Sequence, residues 1–453
     1  MNSAVIQPKN HKTSAIRKRS GSRDPIDALV FLIPCLLFIH VKVVGVLDGS
    51  DLLMLGAFLY LAFSGKIRIA TPAGKRFLVF GSLWLVSQIV TDIVRKTAFT
   101  DYARGWSMIG LTLVNFVVLY TLLYERPRRL VIYGWGLVAG AVLLFFLSPS
   151  DASAGLPWKF GFAFPVSLAV FLVTSSEKIR SHWPITLGAL IGAINIWRGA
   201  RSQGEICLVA ACYLLATSFL NAKGKAGSKV KAGTILALVT SIILGVAGTA
   251  WAYQYAASAG ILGDEAKDKY EHESSGKFGV LVGGRPDLLG AIPAIYDSPI
   301  LGHGSWAEDW TYLKAEREAL LLLGYKEAFS ITREDFISGA IPAHSYMLQA
   351  WVWAGIVGAL FWAWVFVFTA RAFMRIYPAT AALLPLFSFV ALLLLWEILF
   401  SPFGEEVRII FPYYMVVVMT LSRHAPGKAV RAVIKKAKKK DRRRIATSTA
   451  ALI

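Results

Sequence analysis

Charge is scarce in this sequence. Only 17% of its 453 residues are Asp, Glu, Lys or Arg, against roughly 25% in a soluble globular chain, which excludes a protein wetted over its whole surface. Cysteine is scarcer still: Cys35, Cys207 and Cys212 all fall inside apolar runs. That excludes a disulfide framework and leaves no metal-ligand spacing, so packing is their simplest role. Acidic residues are outnumbered, 28 against 48 Lys and Arg. No Asp-x-Asp pair, internal repeat or low-complexity segment occurs, and the basic stretch before Ile26 is followed by no small-residue cleavage site.

What the chain has instead is apolar length. Hydrophobic residues make up 56% of it, with a mean hydropathy of +0.55. Runs such as Phe77 to Val94, Thr234 to Tyr253 and Ala379 to Ser401 reach the roughly 20 residues needed to cross a hydrocarbon core. The expected fold class is an all-α polytopic membrane protein with about twelve spans: 26–46, 50–65, 77–95, 105–124, 130–147, 161–176, 183–197, 203–221, 233–255, 343–370, 376–400 and 409–422. The domains follow as a basic tail (1–25), a first bundle (26–255), a loop domain (256–342), a second bundle (343–422) and a second basic tail (423–453).

With the N-terminus inside, every inner connection is basic: Lys66–Arg76, Glu125–Arg129, Glu177–His182, Asn221–Lys231, Arg371–Arg375 and the tail after Ser422. About 32 of the 48 Lys and Arg then lie inside, and about half of the remainder lie in one long loop that the positive-inside rule does not count. Both termini are expected in the cytoplasm. The tail Lys428 to Arg444 could bind nucleic acid, but a stop signal beside anionic lipid explains it more simply, and no nucleic-acid partner is expected. The long outer segment, about Ala256 to Pro342, is too polar for lipid. Within it Ala307 to Leu323 has helical propensity and an apolar side, as a helix lying on the outer face or capping a cavity would.

Three outer places carry polar residues that need a reason. The first is the tight turn Trp197 to Gln203, with Arg198 and Arg201 three apart and Glu205 placed to steer Arg201 if the next span is helical from there; interfacial snorkelling is its structural reading. The second is Gly283-Gly284-Arg285-Pro286-Asp287, followed by Tyr296 to Gly304. Glycines there would let backbone amides approach an anion, beside a guanidinium fork suited to phosphate oxygens. The third is Ala343 to Gln349, where His344 sits at the return into a span with a near-neutral pKa suited to taking a proton. A histidine at a helix start also serves structure. Around these stand His303, Tyr346 and Arg408.

Gly284-Arg285, then Ser298-Pro299-Ile300-Leu301-Gly302-His303-Gly304, His344-Ser345-Tyr346-Met347-Leu348-Gln349 and Ala354-Gly355-Ile356-Val357-Gly358 together resemble the signature of the O-antigen ligase and O-unit polymerase family. The signature spans roughly a quarter of the chain. The Arg201-Ser202 turn is similar to the family's Ser-Arg-Gly outer turn, but here the serine follows the arginine, which leaves Arg198 and Arg201 both open as the binding residue.

The resemblance implies a metal-independent, inverting glycosyltransferase of the bacterial inner membrane, acting on the periplasmic face without a cofactor, in lipopolysaccharide or exopolysaccharide biosynthesis. The donor would be a glycan on undecaprenyl diphosphate, and the acceptor another glycan or a lipid A core. Membrane lipid and other polysaccharide assembly proteins are the remaining partners. Arg201, Arg285 and Arg198 would bind the diphosphate and His344 would be the catalytic base. A transporter or flippase for a polysaccharide or lipid-linked glycan is the competing class, kept open by Glu397 and Glu406 near the last outer turn; a non-catalytic scaffold is a third.

Overall fold

The computed structural model describes residues 24–175, 182–222, 253–261, 263–325, 339–375 and 381–424, with 248, 251 and 377. Both basic tails lie almost wholly outside these residues, as do nearly all of the inner connections at 177–182 and 221–231 and most of the expected span at 233–255. The described residues are overwhelmingly helical. In chain order they form α1 (Pro25–Cys35), a ribbon of β1 (His40–Lys42) and β2 (Val46–Asp48), α2 (Gly49–Phe63), α3 (Pro72–Arg95), α4 (Phe99–Leu123) and α5 (Pro127–Leu147). Then come α6 (Pro157–Thr174, π-helical in its first turn), α7 (Trp183–Trp197) and α8 (Arg201–Ala222). The outer segment carries α9 (Asp264–Ser274), α10 (Leu288–Asp297) and α11 (Trp310–Leu322), and the chain continues through α12 (Tyr346–Ala354), α13 (Ile356–Phe373), α14 (Leu384–Phe400) and α15 (Val407–His424).

Six of these helices, α3, α4, α5, α6, α8 and α13, are long and apolar enough to cross a membrane. α3 shows why. Thr71 caps it by accepting the Gly74 N–H, Pro72 supplies a preset first turn, and Lys96 in left-handed geometry ends it. At 1.5 Å per residue its length is ~36 Å, more than a hydrocarbon core of ~30 Å. Phe77, Gly81, Trp84, Gln88 and Asp92 form its buried stripe. The opposite stripe, Val79, Leu83, Val86, Val90 and Ile93, is exposed and, Ser82 apart, apolar. Water would penalise such a face, whereas lipid accepts it. The protein is an all-α multi-pass membrane protein.

Aromatic rings fill the centre, with Phe77 stacked on Phe116 at 3.9 Å and Trp84, Phe361, Trp362 and Phe411 around them. Side-chain bonds sort the connections into two ends. At one end Arg129 holds Asp24 and Asp27, and Arg423 pairs with Glu125. At the other gather the β-ribbon, the turns after α3, α5, α7 and α14, and the outer segment, tied for example by Arg408 to Val46 and by Arg95 to Gly302.

Two expected spans differ. The run 26–46 is not one helix: it stops at Phe38 and continues as the β-ribbon, because Val41, Val43, Val44 and Val46 favour extended backbone and Gly45, at φ 131°, makes the turn. The run 343–370 breaks at Gly355 into α12 and α13. Gly355 has φ 68° and ψ −164°, a conformation open essentially to glycine alone. The carbonyls freed near the break are taken up from outside the helix. His303 N–H donates to Val352 (2.7 Å), Gly304 N–H to Trp353 (3.1 Å) and Ser87 Oγ to Ala354 (2.8 Å). The expected helix at 307–323 is observed as α11, capped by Asp309. Together with α10 and α12 it encloses a small core of Ala291, Ala294, Tyr312, Ile341 and Val352.

Candidate functional site

Arg201 opens α8 directly after a turn that Gly199 makes possible at φ 81°. Close packing sets that turn: a Cβ at Gly204 would lie 2.6 Å from the Gly192 carbonyl oxygen, so only glycine lets α7 and α8 approach so nearly. The Arg201 guanidinium meets the Glu273 carboxylate through two bonds, Nη1 to Oε2 at 3.0 Å and Nη2 to Oε1 at 3.1 Å, above the Tyr253 ring at 4.5 Å. Glu205 stays within electrostatic reach of Arg201, but the bidentate partner is Glu273. The carboxylate at the end of α9 meets the planar fork edge-on, a geometry that gives stronger charge-assisted bonds than a single contact.

Arg285 joins the same group. Gly283 packs against the Glu273 carbonyl, where a Cβ could not fit. These glycines therefore bring Arg285 close to α9 instead of cradling an anion with their own amides. The Arg285 guanidinium lies over Trp396 at 5.6 Å and Phe400 at 5.5 Å. Burial pulls its pKa below the ordinary value, Asp287 and Glu273 oppose that, and Arg201 adds to the lowering. Lys159, at the start of α6, is in electrostatic reach of Arg201, Arg285, Glu273 and Lys269, and Lys269 pairs with Glu273 at 3.8 Å. Acidic residues, Glu205, Glu273 and Asp287, thus stand among the cations.

The other expected residues take separate places. Arg198 lies over the Trp158 ring at 5.7 Å, on the Lys159 side of the group. His344 is exposed and has no hydrogen bond or ion pair to another described residue. Its neighbour Ser345 caps α12 and donates to the Ile398 carbonyl at 2.8 Å, in the turn of α14 that carries Trp396 and Phe400 beneath Arg285. His344 and Arg285 therefore attach to one helix end. Tyr346 is buried, within electrostatic reach of Glu397. His303 is structural: its Nε2 bonds the Ala294 carbonyl at 2.7 Å. Arg408, 3% exposed, pairs with Asp51 at 2.7 Å and Asp48 at 3.7 Å, away from the cation group. Sequence reasoning passed over Lys159 and Glu273. A single charge at a helix end has no periodicity to mark it, although Lys159 is the one cation in its connection.

No family model matches this chain, and neither a curated protein nor a solved structure is similar to it. What fold and geometry define is an all-α multi-pass membrane protein with cations from α6, α8 and the outer segment grouped at one end.

Proposed function

We propose that this protein is a polyprenyl-diphosphate-dependent glycosyltransferase of the O-antigen ligase/polymerase type. It would have about twelve spans in the bacterial inner membrane, both termini in the cytoplasm and the cation group at the periplasmic surface. The observation that carries the reading is Arg201 paired with the Glu273 carboxylate while Arg285 and Lys159, from segments far apart in sequence, stand within electrostatic reach of both. A diphosphate at a lipid–water interface calls for such a group, because separate guanidinium forks can each bind phosphate oxygens.

In this reading the acceptor hydroxyl attacks the anomeric carbon of the donor sugar while His344 takes the hydroxyl proton. The bond from that carbon to the phosphate oxygen breaks, and the electron pair leaves with the diphosphate. Arg201, Arg285 and Lys159 offset the charge that grows there, and Arg198 extends the positive surface toward Trp158. Neither metal nor cofactor has a step in the scheme.

Transport is less well supported. Broken helices in transporters offer their freed carbonyls to ions, whereas the carbonyls at the Gly355 break are engaged by His303, Gly304 and Ser87. The test is transfer of a glycan from undecaprenyl diphosphate by wild type and by Arg201→Ala, Arg285→Ala and His344→Ala in membranes. Each variant is expected to insert and lose transfer; normal transfer by all three rejects the assignment. In a deletion strain, single units still attached would mark a polymerase, and loss of all attachment a ligase.

A further inference from the structure

A cavity of about 500 Å³ adjoins the cation group, within the ~300–1,000 Å³ range of small-molecule sites. Its lining includes the apolar Leu137, Leu144 and Phe145 and the polar His40, Gln203, Glu397 and Glu406. Two of these polar residues have buried atoms without a hydrogen-bond partner, the donor Gln203 Nε2 and the acceptor Glu397 Oε2. A sugar hydroxyl both donates and accepts, so adjacent hydroxyls on one ring can satisfy both atoms.

Charge narrows the ligand. Among the described lining residues only His40 can carry a positive charge, and its nitrogens are engaged, Nδ1 with Ser148 Oγ at 3.1 Å and Nε2 facing Asp48 at 3.6 Å. An anionic sugar would be desolvated between Glu397 and Glu406 with no counter-charge. The cations stand at the border instead. Lys159 precedes the lining residue Phe160, Arg201 lies two before Gln203, and Trp396, under Arg285, precedes Glu397. Glu397 is also within electrostatic reach of Tyr346, two residues beyond His344.

We infer that this cavity is a glycosyl subsite that takes an uncharged or amino-bearing sugar and turns away uronates, leaving the anionic diphosphate to the neighbouring cations. The inference rests on the transfer reading only for which molecule brings the sugar, since the cavity's preference is a binding property.

The test uses the full chain in lipid nanodiscs, with methyl β-glucoside, glucosamine and glucuronate as probes in saturation-transfer NMR. The first two are expected to bind and glucuronate not. Glu397→Leu should weaken methyl glucoside by about tenfold. The variant Glu406→Arg, which supplies the missing counter-charge, should admit glucuronate, a gain that a merely structural role would not produce. Ala141→Trp, which fills the cavity from α5, should abolish every signal with the melting temperature kept. Arg201→Ala should bind methyl glucoside normally even where transfer is lost, which separates failure of this inference from failure of the transfer reading. Equal binding of glucuronate and methyl glucoside by wild type, no binding of any probe, or binding that survives Ala141→Trp overturns it.

Discussion

Arg201 and Glu273 face each other as fork and carboxylate, two bonds of 3.0 and 3.1 Å between groups that are 25% and 14% exposed. Glu273 thereby occupies the donors that a phosphate would use. Removing its charge should free them: Glu273→Gln is expected to bind inorganic pyrophosphate about tenfold more tightly, ~1.4 kcal/mol. Adding Arg201→Ala should cancel the gain. Calorimetric titration reads both, and weaker binding by Glu273→Gln would show that the carboxylate supports the anion site instead of competing for it.

His303 and His344 should separate in opposite senses. His303→Ala leaves the buried Ala294 carbonyl without its 2.7 Å partner and should cost roughly 1–3 kcal/mol, lowering the melting temperature. His344→Ala removes an exposed ring and should change stability by less than about 0.5 kcal/mol, yet reduce transfer by roughly 10²–10⁴-fold. Thermal unfolding in detergent beside a transfer assay distinguishes them.

Gly355→Ala should be poorly tolerated. The position is at φ 68°, and an added Cβ would collide with the Ile300 carbonyl. The expected result is a melting temperature lower by several degrees and less protein in the membrane. Gly56→Ala in α2, where a Cβ meets nothing within 4 Å, is the control and should gain ~0.5–1 kcal/mol. Equal behaviour of the two would mean that the break is not held as described.

Asp48 should make stability fall with rising pH. Burial first, then Asp51, pushes its carboxyl from 3.8 up to about 7, against the pull of Arg408. The folded protein therefore keeps a proton that the unfolded chain releases near pH 4. This contribution is complete below about pH 4 and is lost as the pH climbs to about 7, at most ~4 kcal/mol. Asp48→Asn should flatten the melting temperature over that window, and an unchanged slope would assign the dependence to other groups.

That the chain is helical and crosses the membrane more than once was legible, because an apolar run of sufficient length has few alternatives in lipid. The α11 helix was equally plain from its composition. The Gly355 break was not: Tyr346 to Phe373 reads as one unbroken apolar run, and only the approach of residues 298–304 shows what the glycine is for. Within the spans, hydropathy could not separate the buried Trp84 from the exposed Leu83, since lipid and protein interior are both apolar. Arg201 and Arg285 stood out by sequence. Glu273, which bonds one and neighbours the other, lies in an ordinary charged stretch, and only the fold reveals its position.

The junction at Gly355 also bears on how the chain is made. A carbonyl left unpaired in lipid costs several kcal/mol, so α12 and α13 are not a self-sufficient insertion unit. Their carbonyls are met by His303 and Gly304, which leave the ribosome earlier and belong to a segment too polar to stay in the bilayer. Biogenesis must therefore bring that segment clear of the bilayer interior before the following pair of helices settles, and a cut between the two would strand the later helices without the donors that complete them.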